Sequence, residues 1–224
     1  MKLLNKFFVM AFLSATFMSN AGIILETSDP GYYNDSIGTV LNLTNGGDTA
    51  TGYFPVFNDS YVTYTDAPDL SAASGILGDW LTDPLNLNSN WSFETSIPNT
   101  WTPGHEVAVM YQFDTLSATN VIASFGVDNG IHAWLDGVYI GGVRSGGHSV
   151  PGEHVFTLGD LSSGTHFLQL LLEDHGGANG YHVEISADEF IPGPPPAEVS
   201  EPTNIAIFSL SLLGLATMRR KKAK

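Results

Sequence analysis

The stretch IHAWLDGVYIGG, residues 131–142, constrains this chain more than any other. Apolar and polar residues alternate on both sides of Asp136-Gly137, a pair that tolerates positive φ at both central positions of a two-residue turn. The segment therefore predicts a type I′ hairpin with Leu135 opposite Val138, Trp134 opposite Tyr139, Ala133 opposite Ile140 and His132 opposite Gly141. The same alternation recurs between Gly, Asn and Asp clusters through residues 22–191, and no helical period competes with it. Strands are predicted at 61–64, 106–113, 121–127, 131–135, 138–142, 153–158, 165–173 and 181–187. Eight short strands in one domain give an all-β class and a sandwich architecture. Further strands before about residue 78 are expected to complete it, with 79–91 as a long loop packed by Trp80 and Trp91.

Charge divides the chain sharply. Of eight basic residues, Lys2 and Lys6 open the sequence and five close it, so Arg144 alone faces all 23 acidic residues between Glu26 and Glu201. Such a body repels nucleic acid and anionic lipid, whose binding rests on Lys and Arg neutralising phosphates. Neutral polymers and cations remain as partners. With no cysteine, disulfide scaffolds and thiolate metal sites are excluded.

The ends carry an address. Lys2 and Lys6, the apolar run FFVMAFLSATFM and Ser19-Asn20-Ala21 follow the order of a signal peptide, which sets residues 1–21 as a cleaved leader and 22–191 as the exported body. Residues 192–202 begin with Pro192-Gly193-Pro194-Pro195-Pro196, a stiff extended spacer. Residues 203–218 then form a short apolar transmembrane helix, roughly 24 Å long against a hydrocarbon core of about 30 Å. It spans only by thinning the bilayer or snorkelling its flanks, and the basic 219–224 tail stays on the cytoplasmic side.

Ser200-Glu201-Pro202, the short Leu-rich helix and Arg219-Arg220 with the lysines behind them resemble the PEP-CTERM sorting signal of Gram-negative bacteria that make extracellular polysaccharide. The resemblance implies an exosortase-type transpeptidase as partner, a transient stay in the inner membrane, and cleavage near the motif. The product is then released or attached at the cell surface or in the extracellular matrix. Ser200 stands where that family usually has its first proline.

A second resemblance covers about residues 97–174. Trp101-Thr102-Pro103-Gly104 before a strand, the 127–142 hairpin, and Asp160-Leu161 with Ser163-Gly164 before a long apolar strand are similar to the galactose-binding-domain-like jelly roll of polysaccharide-active enzymes. It implies a β-sandwich of eight or nine strands, often with a structural calcium and sometimes with a carbohydrate site in the loops.

Candidate sites follow from both readings. Trp134 and Tyr139 form either a cross-strand aromatic pair under a loop or a platform for a sugar ring. The former is favoured because such pairs stabilise sheets without a ligand. Asp128, Asn129, Glu173 and Asp174 offer the oxygen donors that calcium takes, against the alternative that they are solvated turn residues of an acidic surface. No metalloprotease, nucleophile-elbow or phosphate-loop pattern occurs. The expectation is a non-catalytic exported β-sandwich that binds extracellular polysaccharide. The alternative is a secreted polysaccharide hydrolase with Glu173 and Asp174 as acid and base, which strand alternation disfavours by sending neighbours to opposite faces unless the strand has already ended there.

Overall fold

The computed structural model describes residues 20–41, 61–174 and 178–193. The leader before Asn20, residues 42–60, and everything beyond Gly193, including Ser200, Glu201, Pro202, the 203–218 segment, Arg219 and Arg220, lie outside them. Among the described residues no helix is long and apolar enough to cross a membrane.

The described residues form nine strands: β1 (Asn20–Glu26), β2 (Gly31–Gly38), β3 (Val62–Tyr64), β4 (Ser92–Glu94), β5 (Glu106–Leu135), β6 (Val138–Ser145), β7 (His154–Leu161), β8 (Gly164–Glu173) and β9 (Gly180–Pro192). A single helical turn, α1 (Ser74–Leu77), follows a 3-10 turn at Ser71–Ala73. All strand pairs are antiparallel.

β5 organises the rest. Its first part pairs with β2 and β8, its middle with β7 and β9, and its last part with β8 again and with β6. One chain segment thus runs through one layer, crosses to the other and returns. The three separate strands expected at 106–113, 121–127 and 131–135 are one strand of 30 residues. The polar residues between them read as turns because local chemistry favours turning there. Their backbone groups instead change partners without leaving the ladder, which satisfies the same hydrogen bonds.

Alternation fills the space between the layers. Val107, Val109 and Tyr111 from the first part of β5, Leu168, Leu170 and Leu172 from β8, and Phe125, Val127, Val183 and Ile185 from the other layer form one cluster. Each fully buried aliphatic side chain contributes about 1.5–3 kcal/mol relative to exposure. The opposite face of β5 and β8 is also apolar. Ala108, Trp134 and Leu171 pack there against Ile37, Ala73, Leu77 and Trp80. The 79–91 loop covers this face as expected, with Trp80 and Trp91 rings 5.4 Å apart and Trp91 Nε1 donating to the Leu77 carbonyl at 3.0 Å.

The hairpin forms with φ of 51° at Asp136 and 76° at Gly137, and Leu135–Val138 and Trp134–Tyr139 are in the expected register. Beyond them the register shifts: Ala133 faces Gly141 and His132 faces Gly142, which leaves Ile140 as the extra residue of a bulge. Gly142 makes the shift possible. A Cβ there would fall 2.7 Å from His132 Nδ1 and 2.8 Å from Tyr139 Oη, the two atoms that hydrogen-bond each other at 2.9 Å.

Candidate functional site

Trp134 is only 2% exposed. Trp80 meets it edge-on at 5.6 Å and Tyr139 at 5.2 Å, so neither ring face is open to a sugar. Gln169 closes the arrangement, donating from Nε2 to the Trp80 carbonyl at 2.7 Å and accepting from the Gly137 N–H at 2.8 Å. The aromatic pair is a structural pair under a loop, and the platform reading is corrected on burial. The loop arrives from outside the hairpin, so the hairpin's own pattern does not reveal it. His132 lies in the same layer, stacked on Tyr64 at 4.8 Å, and burial pushes its pKa down to about 4.

The four oxygen-donor candidates all stand at one end of the sandwich, where β5 crosses between layers. Asp128 and Asn129 are buried, and Asn129 Nδ2 donates to Asp128 Oδ1 at 2.9 Å. Glu173 lies opposite Gly130, and its carboxyl occupies the space a Cβ at 130 would fill. Asp174 turns the other way: its Oδ2 accepts from the Gly104 N–H at 2.5 Å and from Asn179 Nδ2 at 3.3 Å. Among the described residues no three carboxylate or imidazole groups converge in the manner of a metal cage. Glu173 ends β8 with its carboxyl against Gly130, whereas Asp174 lies just beyond the strand and is held by Gly104 and Asn179. The same divergence separates Glu173 from Asp174 as an acid and base pair, and both are 0% exposed.

The outer face of the β1-β9-β5-β7 layer carries a different constellation. Register sets Glu26 opposite Glu184, Glu184 opposite Ser124, and Ser124 opposite Val155, in one row across four strands. His182 is the next residue of β9 on that face. An open cleft of about 390 Å³ lies here, lined by Glu26, Thr27, Ser28, Ser124, His182 and Glu184, with Pro151 and Gly152 as its wall.

Two local devices build the cleft. Gly126, opposite His182 in the ladder, has no side chain, and the backbone of Val150 rests directly on it, which seats the 150–152 turn beside the strands. On the other side the turn after β1 is tied to the core. Thr27 Oγ1 donates to the Val183 carbonyl at 3.1 Å and accepts from the Val183 N–H at 2.7 Å. Beneath it Tyr111 Oη donates to the Thr27 carbonyl at 3.2 Å and receives the Tyr181 hydroxyl at 2.8 Å. Burial raises the pKa of both tyrosines, so both stay protonated donors.

Sequence reasoning missed this site because its members come from opposite ends of the body. The strand predicted at 181–187 puts His182 and Glu184 on one face by its alternation, but nothing local to β1 pairs Glu26 with them. The cleft presents carboxylate acceptors, an imidazole and short hydroxyls. Arg144, the one basic residue among the described residues, is not part of its lining.

The chain matches no protein-family model and no curated protein. Solved structures similar to it include an anti-sigma factor domain-containing protein, at 13% identity and TM-score 0.35 over 50% of this chain and 44% of that one. Another is the PA14 domain of the antifreeze protein MpAFP, at 17% identity and TM-score 0.31 over 82% of this chain and 93% of that one. A third is a PA14 sugar-binding domain from an RTX adhesin, at 15% identity and TM-score 0.31 over 75% and 99%. The chain spans less than half the length of the anti-sigma factor protein. At these values the similarities fix neither the topology nor the activity of this chain.

Proposed function

We propose that this protein is an exported, non-catalytic β-sandwich of jelly-roll type that binds a neutral extracellular polysaccharide through the cleft beside Glu26 and Glu184. The observation that carries the proposal is the cleft's chemistry: carboxylates, an imidazole and hydroxyls gathered on an exposed sheet face, with no cation in the lining. Sugar hydroxyls donate to carboxylates in charge-assisted hydrogen bonds, which are roughly twice as strong as neutral ones. The acidic body turns away polyanions, so the preference is for uncharged chains.

The PEP-CTERM-like tail supplies the rest of the reading. An exosortase-type transpeptidase cuts near Glu201 after a transient inner-membrane stage and delivers the sandwich to the surface or matrix of a Gram-negative cell. Electrophoresis through gels containing neutral polysaccharides tests the binding. Retardation that disappears in Ser124→Val and His182→Ala, with unchanged circular dichroism, is expected. Migration unaffected by any such polymer would overturn the proposal.

A further inference from the structure

The cleft holds two like charges that nothing in its lining balances, and we infer that its preferred occupant is a hexosamine unit with a free amino group, carried within an otherwise uncharged polysaccharide. This deepens the proposed function and rests on it. Glu26 and Glu184 face each other across the β1–β9 ladder, and both are exposed and line the cleft. Directly opposed residues of an antiparallel pair hold their Cβ atoms roughly 5 Å apart, so one small cation reaches both carboxylates.

The conflict is not relieved from within. Arg144, the one basic residue among the described residues, stands on β6 in the other layer. Further carboxylates stand behind the cleft instead: Asp29 Oδ2 accepts from the Glu26 N–H at 2.8 Å, and Glu153 Oε2 accepts at 2.8 Å from the N–H of Val150, next to the Pro151-Gly152 wall. An ammonium group carries three donors and no acceptor. Two of them meet Glu26 and Glu184, and the third meets the hydroxyl of Ser124, which lies beside Glu184 in the same row. The acetylated form of the same unit brings one amide donor, a carbonyl acceptor and no charge, so it leaves the two carboxylates opposed. Long-range attraction acts in the same direction, because the span from Glu26 to Glu201 holds 23 acidic residues against one basic.

Calorimetric titration of the exported protein at pH 6 with the β-1,4-linked tetramers of glucosamine and of N-acetylglucosamine tests this, since the two differ only in acetylation. The glucosamine tetramer is expected to bind roughly tenfold more tightly, by a margin that shrinks as salt is added. Changing both carboxylates, Glu26→Gln together with Glu184→Gln, should bring the two tetramers to equal affinity in a variant whose thermal unfolding shows an intact fold. Equal affinity in the parent would overturn the amine preference and leave the cleft to neutral chains. A preference that survives in the folded double variant would overturn it too, by tracing the attraction to the acidic body as a whole. If neither tetramer binds, the amine preference falls, and retardation in gels of neutral polysaccharide alone decides whether the cleft reading stands.

Discussion

Glu26 on β1 and Glu184 on β9 stand directly opposite each other in antiparallel register, both exposed, so the sheet holds two like charges side by side. Like charges at opposed positions oppose pairing, by the same order of magnitude, roughly 0.2–1 kcal/mol, that complementary pairs contribute. A surface position free to vary relieves such a conflict easily. Glu184→Gln is therefore expected to raise stability by a few tenths of a kcal/mol in urea denaturation while weakening polysaccharide retention. A variant that lost both stability and binding would show that the carboxylate supports the fold instead.

The hydroxyl of Tyr111 links the core to the cleft wall through the Thr27 carbonyl. Removing it in Tyr111→Phe leaves that carbonyl and the Tyr181 hydroxyl each short of a partner, at a cost of about 1–3 kcal/mol. The effect should reach the cleft as well. Hydrogen exchange at Thr27 and Ser28 is expected to accelerate relative to Tyr181→Phe, which leaves the Tyr111–Thr27 bond in place.

Two histidines give opposite pH signatures. His132, held near 4 by burial, is neutral in the fold, whereas the unfolded chain takes up a proton at about 6.5. Stability is therefore full above pH 6.5 and declines as pH falls toward 4, by an amount on the order of 2–3 kcal/mol. His132→Gln should flatten that limb in denaturation curves at pH 7 and pH 5. For His166 burial alone would lower the pKa, but the hydrogen bonds to Asp136 Oδ2 at 2.7 Å and to the Ser162 carbonyl at 3.0 Å outweigh it and raise it. Its contribution is present below the unfolded value and fades as pH rises through the folded one, so Asp136→Asn should cost more at pH 5 than at pH 8.

Trp134 belongs to the packing between the sheet and the 79–91 loop, not to a ligand. Trp134→Ala is expected to cost about 3–5 kcal/mol of stability. Trp134→Phe should retain much of it and bind polysaccharide like the parent. Loss of binding in a well-folded Trp134→Phe would return the residue to the site.

Under the proposed sorting, mass spectrometry of the protein recovered from its native host is expected to find a C-terminus near Glu201. Glu201→Ala should leave Lys224 attached to membrane-bound material. An intact Lys224 on the parent protein would make the tail a permanent anchor.

Local signals located the hairpin turn at Asp136-Gly137, the strand over 165–173 and the all-β class, because turn chemistry and the alternation of side-chain direction along a strand are set by the backbone itself. That rule separates Glu173 from Asp174 only inside a strand, and β8 ends at Glu173, so their divergence belongs to the tertiary structure. What it could not reach was anything requiring a partner. That 106–135 is one strand crossing layers, that Ile140 bulges, that Trp134 is covered on its second face, and that Glu26 lies beside Glu184 all depend on which strands pair and in what register. Register is a property of two distant segments competing for the same hydrogen bonds and the same core, so only the assembled tertiary structure decides it.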